Sequence, residues 1–288
     1  MNILIKQLSL PIAFIFLYGS GFVFTAFGLQ DSSPMAFLAL RFFIAFFILL
    51  LIAYILKVTW PKSIKESIHI AVAGMLTVGV FSIGVFLSLG FGISASLSAL
   101  IIALQPILVT FLASYFLGET LNKKIIAGLL IGIIGVAFVV SSKTSVNSTE
   151  ILGVTFSVVA LLGLSFGNIY QKKYCSNMNL YSGGAIQTLS STMLTLPLLL
   201  LYENAYIYFT NDFIISLLYM SIAVSIGALS ILYIMIRNGD VSKVSSIFYL
   251  VPVSAAIVGY FILDSAFDLN IMIGIVFVLC AIVLINKK

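Results

Sequence analysis

The fold of this chain is decided by residues 104–120, LQPILVTFLASYFLGET, because residues 250–266, LVPVSAAIVGYFILDSA, repeat their pattern 146 positions later. Both stretches place a proline third, with a leucine at the start and another leucine eleven positions after the proline. The match extends beyond them, since Gly128 falls on Gly274 at the same offset. The chain is therefore expected to consist of two similarly built halves.

The loops of the two halves carry opposite charges at matching positions. A basic loop with Lys57, Lys62 and Lys65 falls on an acidic loop with Glu203 and Asp212, whereas the loop of Asp31 falls on that of Lys172 and Lys173. Because basic loops stay in the cytoplasm, such halves are expected to cross a membrane in opposite directions. Inverted repeats are typical of transporters. The sequence predicts a five-helix repeat in residues 1–145 and an inverted one in residues 146–288.

The composition indicates a protein surrounded by lipid. Hydrophobic residues make up 62% and charged residues 8%, whereas a soluble domain has about 25% charged residues. The mean hydropathy is +1.24. The net charge of +5 comes from residues between apolar runs, so it indicates orientation rather than a nucleic-acid partner. No cysteine or histidine spacing suggests a metal site, and no cofactor is predicted.

Ten apolar runs are long enough to cross a bilayer, which takes about 20 residues. They are residues 8–29, 34–56, 67–90, 94–117, 124–141, 152–171, 180–202, 213–236, 242–263 and 270–286. With the N-terminus in the cytoplasm, only Lys143 among the loop cations lies outside. We therefore predict an all-α integral membrane protein of ten transmembrane helices, multi-pass in the cytoplasmic (inner) membrane, with both termini cytoplasmic. The polar stretch 141–150 joins the halves, and no segment is large enough for a nucleotide-binding domain.

Several motifs carry a resemblance to a known family. They are Tyr18-Gly19-Ser20, Ala39-Leu40-Arg41-Phe42, Leu104-Gln105-Pro106-Ile107, Phe116-Leu117-Gly118-Glu119, and the glycines Gly128 and Gly135. With ten spans in two halves, the chain resembles the drug/metabolite transporter superfamily, and within it the EamA-like branch. It departs from the family where Tyr18 replaces a frequent tryptophan and where Leu263-Asp264-Ser265 replaces a common Gly-Glu pair. The resemblance implies transport of small metabolites, amino acids or cationic drugs across the inner membrane, frequently as export.

Arg41 is the strongest candidate for a functional residue, since it is the only charge well inside a span. A mid-membrane arginine costs about 2.5–3.5 kcal/mol on insertion scales, so it usually faces a cavity and has a partner. One interpretation is an anionic group of a substrate held by the planar guanidinium. The other is snorkelling to headgroups or bonding to backbone carbonyls. The repeat partner of Arg41 is Gln187, so only one half offers a charge.

Two prolines and one carboxylate are candidate hinge or gating residues. Pro106 and Pro252 lie near the middle of matching spans, where each removes a helix hydrogen bond. They serve either a moving scaffold around a midplane site or a static kink. Glu119 ends the fourth span, as a gate or as a solvated terminus.

Further polar and aromatic residues inside the spans form a candidate cavity lining. They are Tyr18, Ser20, Thr25, Gln105, Asn168, Gln171, Tyr233 and Tyr249, with Gln187 in addition. Each residue by itself also fits helix–helix hydrogen bonding. The Gly128–Gly132 spacing likewise fits packing within the chain or a homodimer seam.

The function favoured by these observations is secondary transport of small polar or amphipathic metabolites by alternating access, with export the expected direction. All nine acidic residues lie in loops or at span ends, which favours exchange or efflux down the substrate gradient over proton coupling. The alternatives are a lipid-carrier flippase or a channel-like facilitator of the same fold. An enzyme is not expected, because no buried aspartate pair or intramembrane serine–histidine pair occurs. The expected partners are a small-molecule substrate and the lipid bilayer.

Overall fold

The computed structural model describes residues 2–140, 148–263 and 269–286, and these are mostly helical. The first part of the chain forms α1 (Asn2–Gly28), α2 (Pro34–Ile55), α3 (Ile64–Gly74), a first π-helical segment (Met75–Val80), α4 (Phe81–Gly90), α5 (Ala95–Ile102), α6 (Gln105–Leu117) and α7 (Lys123–Val140). The second part forms α8 (Ser148–Tyr174), α9 (Leu180–Tyr202), α10 (Asn211–Leu218), a second π-helical segment (Tyr219–Ala228), α11 (Leu229–Asn238), α12 (Val241–Ser246), a 3₁₀ turn (Ile247–Leu250), α13 (Val251–Leu263) and α14 (Leu269–Asn286).

Seven helical stretches within the described residues are long and apolar enough to cross a membrane. They are Ser9–Gly28, Pro34–Ile55, Ile64–Gly90, Ile151–Tyr174, Leu180–Tyr202, Asn211–Asn238 and Val241–Phe261. The prediction of an all-helical, multi-pass membrane protein is therefore confirmed, whereas the count of ten spans stays a prediction. The predicted boundary between halves, Lys143, Asp264 and Asp268 lie outside the described residues.

The predicted fourth span differs from expectation because it is broken rather than bent. Helix α5 ends at Ile102 and α6 begins at Gln105, which places Pro106 in the first turn of a new helix. A proline is tolerated there, because the amide hydrogen it lacks would have no partner in the helix. Pro252 occupies the same position in α13, directly after the 3₁₀ turn. Pro106 thus begins a helix, whereas Pro252 lies where a 3₁₀ turn passes into an α-helix within one continuous helical stretch.

Helix bounds in the two parts of the chain differ by the offset found in the sequence. Adding 146 to α6, Gln105–Leu117, gives α13, Val251–Leu263, and adding 146 to α7 gives α14. The first π-helical segment falls inside the second at this offset. Equivalent helices also pack against each other, α2 on α9 and α7 on α14.

Helices α2 and α9 run in opposite directions. The Glu203 carboxylate, just after α9, accepts hydrogen bonds from the backbone N–H of Met35 and Ala36 at the start of α2, at 3.0–3.1 Å. At the other end, Ser182 Oγ near the start of α9 donates to the Thr59 carbonyl at 2.8 Å, beyond the end of α2. Helices α2 and α9, which are equivalent in the sequence, are therefore antiparallel neighbours.

The two ends of the bundle differ in charge. The acidic end carries Asp31, Glu203 and Asp212, and the basic end carries the loops of Lys62, Lys172 and Lys243. At the basic end, Lys172 Nζ donates to the carbonyls of Ile236, Arg237 and Gly239 at 2.8–3.1 Å. A cation at these carbonyls complements the negative C-terminal end of α11.

Apolar side chains fill the interior and also cover the outside of the bundle. Phe14, Phe37, Phe42 and Phe248 are fully buried, and within this core Phe14 packs against Phe248 and Phe37 against Phe86. Large apolar side chains such as Phe47 remain exposed, as expected of a surface facing lipid.

Candidate functional site

Arg41 lies buried in the centre of the bundle, with 4% of its surface exposed. Its Nε donates a 2.8 Å hydrogen bond to Ser225 Oγ in the second π-helical segment. The guanidinium carbon also lies 5.5 Å from the ring centre of Phe42 and 6.0 Å from that of Phe86. No aspartate or glutamate among the described side chains forms a salt bridge with it. A buried cation without a carboxylate is costly, and the partners that the described residues give Arg41 are the Ser225 hydroxyl and the two aromatic rings.

A small cavity of about 20 Å³ borders this guanidinium, and we call it the Arg41 cavity. Its volume is enough for roughly one water molecule. The Tyr18 hydroxyl in its lining has no hydrogen-bond partner among the described residues. The lining residues are Tyr18, Gly21, Phe22, Thr25, Arg41, Phe81, Ser82, Val85, Phe86, Met220 and Val224. The cavity thus combines one cation and one unpaired hydroxyl with an apolar wall.

A second cavity of about 10 Å³, the Gln187 cavity, lies on the other side of Ser225. Ser225 lines it and at the same time bonds to Arg41. Gln187 Nε2 donates to Gln171 Oε1 at 2.9 Å, while Gln187 Oε1 has no partner among the described residues. The lining residues are Leu49, Val78, Leu180, Gly184, Gln187, Thr188, Ser225, Leu229, Ser230 and Tyr233.

Each π-helical segment contributes a hydroxyl to this central region. Ser225 comes from the second segment, and Thr77 Oγ1 from the first lies 2.9 Å from the Tyr233 hydroxyl. Such π-helical turns are often found at functional sites. Neither Ser225 nor Thr77 was predicted from the sequence. Their signal was weak, because a hydroxyl in an apolar span usually bonds to its own helix.

Other predicted cavity residues lie elsewhere. Ser20 bonds to the Phe16 carbonyl and the Tyr219 hydroxyl, both at 2.6 Å, so it links α1 to the second π-helical segment. Gln105 Nε2 lies 3.5 Å from Ser245 Oγ, and Asn168 is buried with neither amide atom paired among the described residues.

Tyr249 packs inside the chain against the small-residue face of α7. A Cβ added to Gly132 would lie 2.5 Å from Tyr249 Cζ. Gly132 therefore serves packing within the chain, and a homodimer through the Gly128–Gly132 face stays a prediction.

Glu119 is not a solvated terminus, because it bonds across the basic end. Its carboxylate accepts from the backbone N–H of Val241 at 2.8 Å and of Ser242 at 3.2 Å, and from the Ser242 hydroxyl. It thereby caps the N-terminus of α12, where a negative charge is stabilising. Glu203 does the same for α2 at the acidic end. Two carboxylates thus join the two parts of the chain, one at each end of the bundle.

The helices, apolar exterior and buried polar centre define a multi-pass membrane protein with an internal site of the kind that transporters use. The sequence profile of the EamA-like transporter family matches residues 6–141 and again residues 151–287. The chain belongs to this family.

Relatives of known sequence and structure agree with this assignment. The chain is 26% identical over 281 residues to the uncharacterized transporter YvbV of Bacillus subtilis, which covers 95% of this chain and 89% of the relative. It is 25% identical over 255 residues to a probable amino-acid metabolite efflux pump of Salmonella typhimurium, covering 85% of this chain and 82% of the relative. A solved crystal structure superposes with a TM-score of 0.79 over 96% of this chain and 95% of the other, at 16% identity, and therefore shows the fold alone.

Proposed function

We propose that this transporter exports small metabolites bearing a carboxylate, amino acids or related compounds, and that Arg41 binds the carboxylate. The observation that carries this proposal is the buried guanidinium of Arg41, which has a hydroxyl ligand but no carboxylate among the described residues. A planar guanidinium matches a carboxylate with two parallel hydrogen bonds. The name of the Salmonella relative, an amino-acid metabolite efflux pump, supports the same substrate class and direction.

The proposed architecture is ten transmembrane helices in two inverted halves, 1–145 and 146–288, in the cytoplasmic membrane. Support comes from the 146-residue offset in helix bounds, from the antiparallel α2 and α9, and from the double match of the family profile. On the positive-inside rule, we propose that the basic end and both termini are cytoplasmic. Arg41 then lies nearer the outer face and Gln187 nearer the inner face.

The small size of the cavities supports alternating access. At about 20 and 10 Å³ they hold little more than a water molecule each, so an amino acid requires the halves to separate. Contacts through Glu203 hold the acidic end closed, and contacts through Glu119 hold the basic end closed. Opening one end at a time requires breaking one carboxylate cap while the other remains. The helix break before Pro106 and the 3₁₀ turn before Pro252 are the proposed hinges.

The test is exchange by the purified protein in liposomes. Vesicles loaded with unlabelled amino acid should accumulate the labelled amino acid transiently, because a carrier couples the two movements. A panel of amino acids, cationic drugs and lipid-linked sugars separates this function from drug export and from lipid flipping. Transport of the cations or flipping of the lipids without any amino-acid exchange would contradict the proposal. Unsaturable flux without exchange would indicate a channel-like facilitator instead.

A pH step with equal substrate on both sides tests the energy source. Since no carboxylate lies within the spans by the sequence assignment, we expect no net accumulation at fixed substrate charge. Accumulation that is lost in Glu119→Gln would instead identify Glu119 as a coupling residue.

A further inference from the structure

The Gln187 cavity differs from the Arg41 cavity in the hydrogen-bonding groups that line it. Among the described lining residues, Arg41 is the only charged side chain of its cavity, and the Gln187 cavity has none. A guanidinium donates hydrogen bonds and accepts none. The Arg41 cavity is therefore suited to an anion.

The amide of Gln187 presents an oxygen without a partner. Its nitrogen donates to Gln171 Oε1 at 2.9 Å and lies 3.9 Å from Met178 Sδ, and the nitrogen of Gln171 lies 3.4 Å from the same sulfur. A thioether sulfur accepts hydrogen bonds but has no proton to donate, so the two nitrogens rather than the two oxygens face it. This leaves Gln187 Oε1, in a side chain 1% exposed, as an acceptor with no donor among the described residues.

Two hydroxyl groups of the same cavity donate their protons to other protein groups, so each can only accept a hydrogen bond from a ligand. Thr188 Oγ1 donates its proton to the carbonyls of Gly184 and Ala185, at 2.9 and 3.1 Å. Only its lone pairs remain for a ligand.

The Tyr233 hydroxyl reaches the same state through Thr77. Thr77 Oγ1 donates to the Ala73 carbonyl at 2.8 Å, so the 2.9 Å bond between Thr77 and Tyr233 uses the tyrosine proton. The oxygen of Tyr233 is then also an acceptor. Three acceptors around one small space match the three donors of a primary ammonium group.

Ser225 lies between the two cavities. It accepts from Arg41 Nε on one side and lines the Gln187 cavity on the other, so a single side chain separates the anion-binding group from the acceptors. We propose that the Gln187 cavity is a second subsite, which binds the ammonium group of an amino acid through Gln187 Oε1, Thr188 and Tyr233. This inference rests on the proposed function, and it adds the requirement for an ammonium group and the orientation of the substrate. The carboxylate points toward the acidic end of the bundle and the ammonium toward the basic end.

The test compares three probes of one shape: leucine, 4-methylpentanoate, which lacks the ammonium, and 3-methylbutylamine, which lacks the carboxylate. Titration calorimetry of the purified protein measures their affinities. A hydrogen bond to a charged group is worth enough to favour leucine over 4-methylpentanoate by about tenfold to a hundredfold. Gln187→Met keeps the side-chain volume and should lower the affinity for leucine to that for 4-methylpentanoate, which itself should change less than about threefold. Arg41→Gln should abolish measurable binding of both carboxylate probes, leucine and 4-methylpentanoate.

The matched control is Gln171→Met, which removes the same amide–amide hydrogen bond but leaves the acceptor on Gln187. Thr188→Val, a substitution of similar shape, provides a second test if Gln187→Met does not fold, and it should also reduce the preference for leucine.

Equal wild-type affinities for leucine and 4-methylpentanoate, or a preference that survives both substitutions, would overturn the ammonium subsite and leave the anion site standing. Equal losses in Gln187→Met and Gln171→Met would show a purely structural amide pair and would also overturn it. Failure of the wild-type protein to bind either carboxylate probe would overturn the proposed function together with this inference.

Discussion

Glu203→Gln should open the acidic end of the transporter. The Glu203 carboxylate makes three contacts of 3.0–3.1 Å with the first N–H groups of α2, from a residue that follows α9. Glutamine keeps one acceptor oxygen but loses the charge. Hydrogen bonds to charged groups contribute about 1.5–3 kcal/mol and neutral ones about 0.5–1.5 kcal/mol, so the closed state should lose roughly 1–2 kcal/mol. This changes the equilibrium between closed and open forms by about fivefold to thirtyfold.

The assay is labelling of a cysteine placed at Ser82, which lines the Arg41 cavity and is buried. In a background without Cys175 and Cys280, an impermeant thiol reagent added from outside should react about fivefold to thirtyfold faster in Glu203→Gln. Asp212→Asn is the matched control, because it removes the same charge from an exposed position in the first turn of α10. An unchanged labelling rate in Glu203→Gln, or an equal increase in Asp212→Asn, would refute the proposal that Glu203 holds the acidic end closed.

Four further predictions concern the other end, the reactivity of Cys175, the topology and the packing. Glu119 caps α12 at the basic end. Glu119→Gln should therefore accelerate labelling of the same cysteine at position 82 from the cytoplasmic side only. Faster labelling from outside would contradict this role. Cys175, just beyond α8, is buried. Burial, with a smaller contribution from the charge of Glu66, raises the pKa of its thiol to about 12. Its thiolate fraction near neutral pH is therefore about a thousandfold below that of an ordinary thiol, and its labelling rate should rise about tenfold per pH unit. Orientation is therefore better measured at exposed positions: Asn177→Cys should be labelled only in opened membranes and Asn204→Cys in intact cells, and the reverse pattern would invert the topology. Gly74→Ala should destabilise the protein by about 1–3 kcal/mol, since its Cβ would lie 2.5 Å from Gln187 Cα, whereas Gly227→Ala, with no neighbour closer than 3.5 Å, is the control in thermal unfolding.

The sequence predicted the helices well, because apolar runs and the proline repeat are local patterns. The break before Pro106 was predicted as a bend, since a proline within a long apolar run looks the same whether it interrupts a helix or begins one. The π-helical segments were not predicted, because they have no sequence signature. They shift Ser225 into contact with Arg41, which lies 184 residues away in the chain.

The site was predicted in part for a similar reason. A charge inside a span is conspicuous, so Arg41 was found, whereas the role of a hydroxyl depends on where its proton goes. Thr188 and Tyr233 could be identified as acceptors only from the structure, which shows the groups that take their hydroxyl protons. Glu119 was expected to be a gate or a solvated terminus. Its bonds to α12 could not be predicted, because the two lie 122 residues apart in the chain.

The central claim, that Arg41 binds the carboxylate of the substrate, is tested most directly by amino-acid exchange in liposomes with Arg41→Gln and Arg41→Lys. Glutamine should abolish exchange while the protein still inserts and stays folded, and lysine should restore it only in part, because an ammonium lacks the planar fork of the guanidinium. Exchange kinetics in Arg41→Gln equal to those of the wild-type protein would contradict the account and leave Arg41 with a structural role.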